Sequence, residues 1–247
     1  MPPKLLAVFY HIWCPTGTDM WRLLVDEQVK RLQRSGLPCN ADVFCCITGP
    51  QHAAIREFIA GHDWISVLHA TADEGNYEGE TLSRLHDACL ARPDLKGVAY
   101  IHTKGISHFQ NSTPGTFRAV NSWRHFLEWG TMDRWRDAVM ALQTVDAVGV
   151  NYRNSPWPHF SGNFWWAHPR YLRTLAAPLH RPLQTPADVA VDPQTRQRIS
   201  YEQWLGTNDP TVLSFYDFPF HIPGKDWTFG FDLYRDDIFP LYERNGM

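Results

Sequence analysis

The sequence lacks most of the short motifs that announce a chemistry. It has no G-x-x-x-x-G-K-[ST] phosphate loop, no G-x-G-x-x-G after a strand and no H-E-x-x-H. Its five cysteines are odd in number and contain no C-x-x-C, and twelve histidines fall in no spacing that closes a zinc ligand set with them. Reduced, mostly buried thiols in a cytoplasmic protein are expected, with no structural metal. Charge of one sign is also scarce. A formal net charge of −3 over 247 residues excludes bulk attraction to nucleic acid. Long hydrophobic runs are missing as well. Leu5–Tyr10 is too short for a secretory core, and no stretch nears membrane-spanning length. Peripheral membrane association stays open.

Aromatics, by contrast, abound, with eleven Trp and nine Tyr. Several cluster with Asn and His, a composition that suits the apolar faces and hydroxyls of sugars.

Apolar segments alternate with segments of helical period. LLAVFY (Leu5–Tyr10), ADVFCCIT (Ala41–Thr48), WISVLHA (Trp64–Ala70) and GVAYIH (Gly97–His102) read as strands. MWRLLVDEQVKRLQRSG reads as a helix stopping at Gly36, and GPQHAAIREFIAG and Glu80–Ala91 as two more. This alternation predicts an α/β fold with a mostly parallel, Rossmann-type sheet and helices on both faces. Beyond residue 107 the pattern loosens. Helices are expected between about 120 and 142, strands at Asp146–Asn151 and at FWWAH, a helix opening at Pro169, an irregular Pro-rich stretch over 176–199, and a helix or turn beginning at YEQWLG. No linker interrupts the chain, so one domain is expected over 1–247, with a nucleotide-binding half (1–106) and an acceptor-binding half (107–247).

Three segments carry candidate chemistry. His102, Thr103, Lys104 and Gly105 leave the fourth strand at its carboxyl end, where an open α/β sheet builds its ligand crevice. Lys104 can neutralise a phosphate, and His102 can donate or coordinate. HFSGNFWWAH supplies Ser161, Gly162 and Asn163 beside Trp165 and Trp166. Alternation sets one indole towards the core and the other towards a cleft. Glu202 lies between Tyr201 and Trp204 near an expected helix start, and an apolar enclosure raises a carboxylate towards the range of a general base. No D-x-D follows the fourth strand, where an oxygen-ligated Mg²⁺ or Mn²⁺ would be expected in a nucleotide-sugar enzyme.

YIHTKG, NSWRHFLEW (Asn121–Trp129), DAVGVNY, HFSGNFWWAHPRYLRTL and YEQWLG together resemble a family of small bacterial and viral glycosyltransferase-like proteins. These are linked to capsule and surface polysaccharide synthesis and related to rhamnan-synthesis-type transferases. The resemblance spans roughly residues 75–206. It implies a GT-A-like fold and a hexosyltransferase-like activity, in which a nucleotide-sugar donor meets a glycan or lipid-linked acceptor. In the wider GT-A group a glycine-rich strand precedes an acidic position that serves as base in inverting members, and by that order Glu202 is the implied base. His102-Thr103-Lys104 stands where such enzymes usually carry D-x-D. Mn²⁺ or Mg²⁺ is therefore admitted but not required, and Lys104, with His102 and Thr103, is expected at the diphosphate. Trp123, Arg124, Asn151, Ser161, Gly162, Asn163, Trp165 and Trp166 are the expected substrate-binding residues. HIPGKDW (His221–Trp227) is similar to a C-terminal element that closes over the diphosphate in some retaining transferases, which adds Lys225 to the donor site. Two other classes compete. A non-catalytic carbohydrate-binding or assembly module would bind glycans without consuming a sugar nucleotide. A metal-dependent hydrolase built on the histidines would lose activity to chelators.

Overall fold

The computed structural model describes residues 3–15, 19–107, 114–154, 157–178 and 193–217. Lys225 lies outside them, as does most of the Pro-rich stretch.

The first half follows the expected alternation. Strands β1 (Leu6–Trp13), β2 (Ala41–Thr48), β3 (Ile65–Thr71) and β4 (Gly97–His102) pair in parallel, β1 lying between β2 and β4. Between them run helices α1 (Trp21–Arg34), α2 (Leu37–Asn40), α3 (His52–Ala60) and α4 (Gly79–Ala91). β1 is apolar at successive positions because both of its faces are covered. Val8, Tyr10 and Ile12 join one core cluster, with α1 and α3, while Ala7 and Phe9 join the other, with α4. The five cysteines are free, all buried except Cys39.

β1 runs three residues further than its apolar run indicates. Its ladder with β2 continues to Trp13, which brings His11 level with His102 on β4. A strand buried between two partners keeps pairing through a polar residue, because its backbone groups still need partners.

The second half supplies α5 (Pro114–Glu128), a π-turn at Trp129–Asp133, α6 (Trp135–Ala141) and β5 (Ala147–Gly149). A small ribbon of β6 (Tyr152–Arg153) and β7 (His159–Phe160) follows, then β8 (Trp165–Ala167), α7 (Pro169–Leu172), α8 (Pro193–Gln203) and β9 (Val212–Ser214). Pro169 occupies the first turn of α7, capped by the ring of His168, which accepts from Arg170 N–H. The main sheet has seven strands in the order β3-β2-β1-β4-β8-β5-β9, with β8 alone antiparallel to its neighbours. Helices cover both faces, α1, α3, α5 and α6 on one, α4, α7 and α8 on the other. The fold is therefore the expected α/β class with a mostly parallel central sheet.

β2 and β3 extend the sheet from one side of β1, and β4 from the other. The crossovers diverge there, leaving a crevice outside the carboxyl ends of β1 and β4.

Candidate functional site

The turn after β4 is held from below. Thr103 is buried, and its hydroxyl accepts from Trp13 N–H (3.0 Å) and donates to Trp13 O (2.8 Å). That hydroxyl staples β4 to β1 and is spent, which corrects its expected place at a phosphate. The carbonyl of His102 accepts from the Lys104 N–H (2.8 Å) and from Gln28 Nε2 (3.1 Å). Gly105 turns the chain away at φ 86°, and a Cβ there would lie 2.6 Å from Val120 Cγ1.

His102 also differs from expectation. Its Nε2 donates to the Gly162 carbonyl (2.9 Å), which fixes the tautomer, and its ring packs 4.9 Å from Phe164. Burial lowers its pKa to about 3, and the charge of Lys104 adds to the shift. It is a neutral ring holding a turn, not a cation for a diphosphate.

Lys104, two residues past β4, is half-buried, with Nζ 4.2 Å above the centre of the Trp123 ring. Burial lowers its pKa. The carboxylates of Glu202 and Glu78 oppose that shift, and Arg198 adds to it. Trp123 is buried and serves as the platform for this ammonium.

The turn at 161–163 is a clasp. Gly162 and Asn163 have φ of 90° and 56°. A Cβ on Gly162 would meet Leu127 Cδ1 at 2.5 Å and Trp123 Cζ2 at 3.1 Å, so only glycine fits. Trp165 Nε1 donates to Asn163 Oδ1 (2.8 Å), and Asn163 Nδ2 donates to Glu78 Oε2 (2.6 Å). Both ends of the Asn163 amide are thus committed, which corrects the expectation that it binds a hydroxyl directly. Ser161 N–H donates to the carbonyl of Asn151 (3.0 Å), whose N–H donates to Tyr216 O (2.7 Å). The Asn151 amide group is buried and has no hydrogen-bond partner among the described residues.

Neither indole of the tryptophan pair faces a cleft. Trp165 and Trp166 are 1% and 0% exposed, in the two opposite core clusters. Alternation holds, but β8 lies inside the sheet between β4 and β5, so the second face is covered too. Trp166 Nε1 donates to Thr131 O (2.8 Å), satisfying a carbonyl of the π-turn.

Arg124 is likewise withdrawn from any ligand. It donates to Glu128 Oε1 (2.7 Å), Glu27 Oε2 (2.8 Å) and Asn121 Oδ1 (2.7 Å), and its side chain is 1% exposed. Arg31 and Gln28 complete the shell of Glu128.

Glu202 sits at the end of α8, not its start. A carboxylate there opposes the helix dipole, so helix stability does not explain it. Tyr201 and Trp204 anchor the segment in the core, Trp204 lying 6.3 Å from the Trp165 ring. Glu202 is partly exposed, and its negative charge acts on both Lys104 and His102. One turn earlier, the exposed Arg198 lies 3.9 Å from its carboxylate.

Sequence reasoning passed over two members of the site. His11 bonds Thr81 Oγ1 through Nδ1 (2.9 Å), and burial lowers its pKa to about 4. The signal was available, since His11 follows the first apolar run as His102 ends the fourth. Glu78, directly before α4, is 7% exposed, accepts from Asn163 Nδ2, and its charge acts on Tyr100, His11, Lys104 and Tyr201. In sequence it is one acid among many in a polar loop. Among the described residues no three His, Cys, Asp or Glu side chains converge as metal ligands.

No curated protein matches the chain. Solved structures of similar backbone include a provisionally named nucleotide-diphospho-sugar transferase from Desulfovibrio desulfuricans G20, at 11% identity, 85% coverage of this chain, 80% of that one and a TM-score of 0.40. Another is residues 1–349 of TarS from S. aureus, at 10% identity, 85% and 60% coverage and a TM-score of 0.37. Residues 9–208 match the model of a family described as a domain of unknown function, DUF8361, and the chain belongs to that family.

Proposed function

We propose that the crevice binds the diphosphate of a nucleotide-sugar and that the chain is a GT-A-like glycosyltransferase. One observation carries this reading: a half-buried ammonium at the switch point, Lys104, held over Trp123 with two carboxylates near it. Burying a cation costs free energy, and an incoming anion recovers it. Transfer breaks the bond between the anomeric carbon and the diphosphate oxygen, and the electron pair leaves on that oxygen beside Lys104. An acceptor hydroxyl attacks from the opposite face and inverts the centre. Its proton passes to Glu202. Lys225 is proposed as a further donor-site cation. The acceptor is a glycan or a lipid-linked glycan, and the setting is surface polysaccharide synthesis in the cytoplasm, with peripheral attachment to a membrane. Among the described residues no helix is long and apolar enough to cross a membrane.

A carbohydrate-binding module differs from this reading in donor turnover, since it would bind glycans without consuming a sugar nucleotide.

Calorimetry with UDP, GDP and dTDP and their sugar conjugates, with and without Mn²⁺, tests the reading. Wild type should bind at least one nucleoside diphosphate, and Lys104→Met should weaken it at least tenfold while Glu202→Gln keeps binding and loses transfer. Equal affinity in Lys104→Met removes the diphosphate assignment, and unimpaired transfer in Glu202→Gln removes the base.

A further inference from the structure

The proposed reaction gives the buried carboxylate of Glu78 no task. Glu78 closes the loop between β3 and α4 and is 7% exposed. Asn163 grips one of its oxygens at 2.6 Å. The grip has a fixed sense. An indole N–H only donates, so the Trp165 contact sets Oδ1 of Asn163 on that side and turns Nδ2 to Glu78. The amide cannot flip without losing both bonds.

Among the described residues no cationic nitrogen lies within 4.0 Å of the Glu78 carboxylate. A buried carboxylate ordinarily has such a partner or a full set of donors. Glu78 has one amide and the nearby phenol of Tyr100. A carboxylate offers about four lone-pair sites. The turn that grips it also holds His102, two residues before Lys104, since His102 Nε2 donates to the Gly162 carbonyl (2.9 Å), and the charge of Glu78 acts on His11, Lys104 and Tyr201.

We infer that Glu78 reads the donor sugar by accepting hydrogen bonds from its hydroxyls, with Asn163 as the positioning residue that aims it. The inference rests on the nucleotide-sugar reading above. Charge decides what Glu78 can meet. A phosphate would be repelled by it and is drawn to Lys104. What remains for Glu78 is a neutral donor, and paired sugar hydroxyls are the donors that a nucleotide-sugar presents next to its diphosphate. A buried acceptor left unpaired is costly, so such a site discriminates strongly between a sugar with the matching hydroxyl and one without it.

The test compares each nucleoside diphosphate with its sugar conjugate by calorimetry, using the full chain. UDP and UDP-glucose, GDP and GDP-mannose, and dTDP and dTDP-glucose serve as probes. Glu78→Gln removes the negative charge and one of the two acceptor oxygens, so the charge-assisted bonds from the sugar hydroxyls are lost. It should leave nucleoside diphosphate affinity within twofold and weaken the sugar conjugate at least tenfold. Asn163→Gly keeps the φ of 56° without strain and deletes the amide, so the same selective loss should appear, smaller in size. Asn163→Gly also covers the case in which Glu78→Gln does not fold. Equal weakening of both ligands, no weakening of either, or failure of both variants to fold makes Glu78 a structural residue and overturns the inference. If wild type binds no nucleoside diphosphate, the nucleotide-sugar reading has itself failed, and that result needs no variant.

Discussion

Glu78 and Glu128 are both buried carboxylates, 7% and 0% exposed, and their surroundings are opposite. Glu128 receives Arg124, Arg31 and Gln28, so each of its oxygens meets a guanidinium. Glu78 receives one amide and no cation among the described residues. Burial is therefore a poor guide to function by itself, and the degree of compensation is a better one. A fully neutralised charge has nothing left for a ligand. Arg124 stands in one of the recognisable motifs, and it belongs to the neutralised set.

The sharpest way to break this contrast is Arg124→Met. Burial pushes the Glu128 carboxyl up, but the charges of Arg124 and Arg31 outweigh it and hold it below the usual range. Removing Arg124 strips the largest charge in that compensation, and losing one partner of a buried pair costs about 3–5 kcal/mol. Urea denaturation should show a loss of that size. A variant as stable as wild type would mean that the network is dispensable.

The next effect comes from the two histidines. His11 and His102 have pKa values lowered to about 4 and about 3, with burial the main cause in each. Both are neutral in the fold at pH 7, whereas the unfolded chain protonates them near pH 6.5. Their stabilising contribution is complete above that value and is lost as pH falls towards 4. The slope is about 1.4 kcal/mol per pH unit for each ring. Thermal melts between pH 6.5 and 4 should flatten by about that slope in His102→Gln, which can still donate to the Gly162 carbonyl. An unchanged slope would show that His102 is not buried neutral.

Gly162→Ala should have the smallest effect of the three, about 1–3 kcal/mol, from an unfavourable φ and overlap with Leu127. Because that turn holds both His102 and Glu78, the same change should also disturb the crevice. A melting temperature equal to wild type would mean that Leu127 and Trp123 yield easily.

Much of this was legible in the chain. The alternation of apolar runs and helical periods located β1 to β4 and α1, α3 and α4 between them, though not the single turn α2, and YIHTKG marked the carboxyl end of β4. What escaped depended on pairing across distance. His11 was left beyond the first strand because it is polar, and only the ladders to β2 and β4 carry the strand past it. Glu202 was expected at a helix start, since the Pro-rich stretch before it concealed a helix opening at Pro193. The tryptophan pair alternates as expected, but nothing local says that β8 threads between β4 and β5 and buries both faces.

The sequence alone determined β2 to β4, most of β1, and α1, α3 and α4, because side-chain periodicity and turn residues act over a few positions. It also determined that a lysine leaves the carboxyl end of β4. Tertiary structure alone decided which charges are neutralised and which stay available. Arg124 meets Glu27 and Arg31 meets Glu128 across nearly a hundred residues, while Glu78 reaches Asn163 across 85. Electrostatic compensation depends on separation in space, which only the folded chain defines.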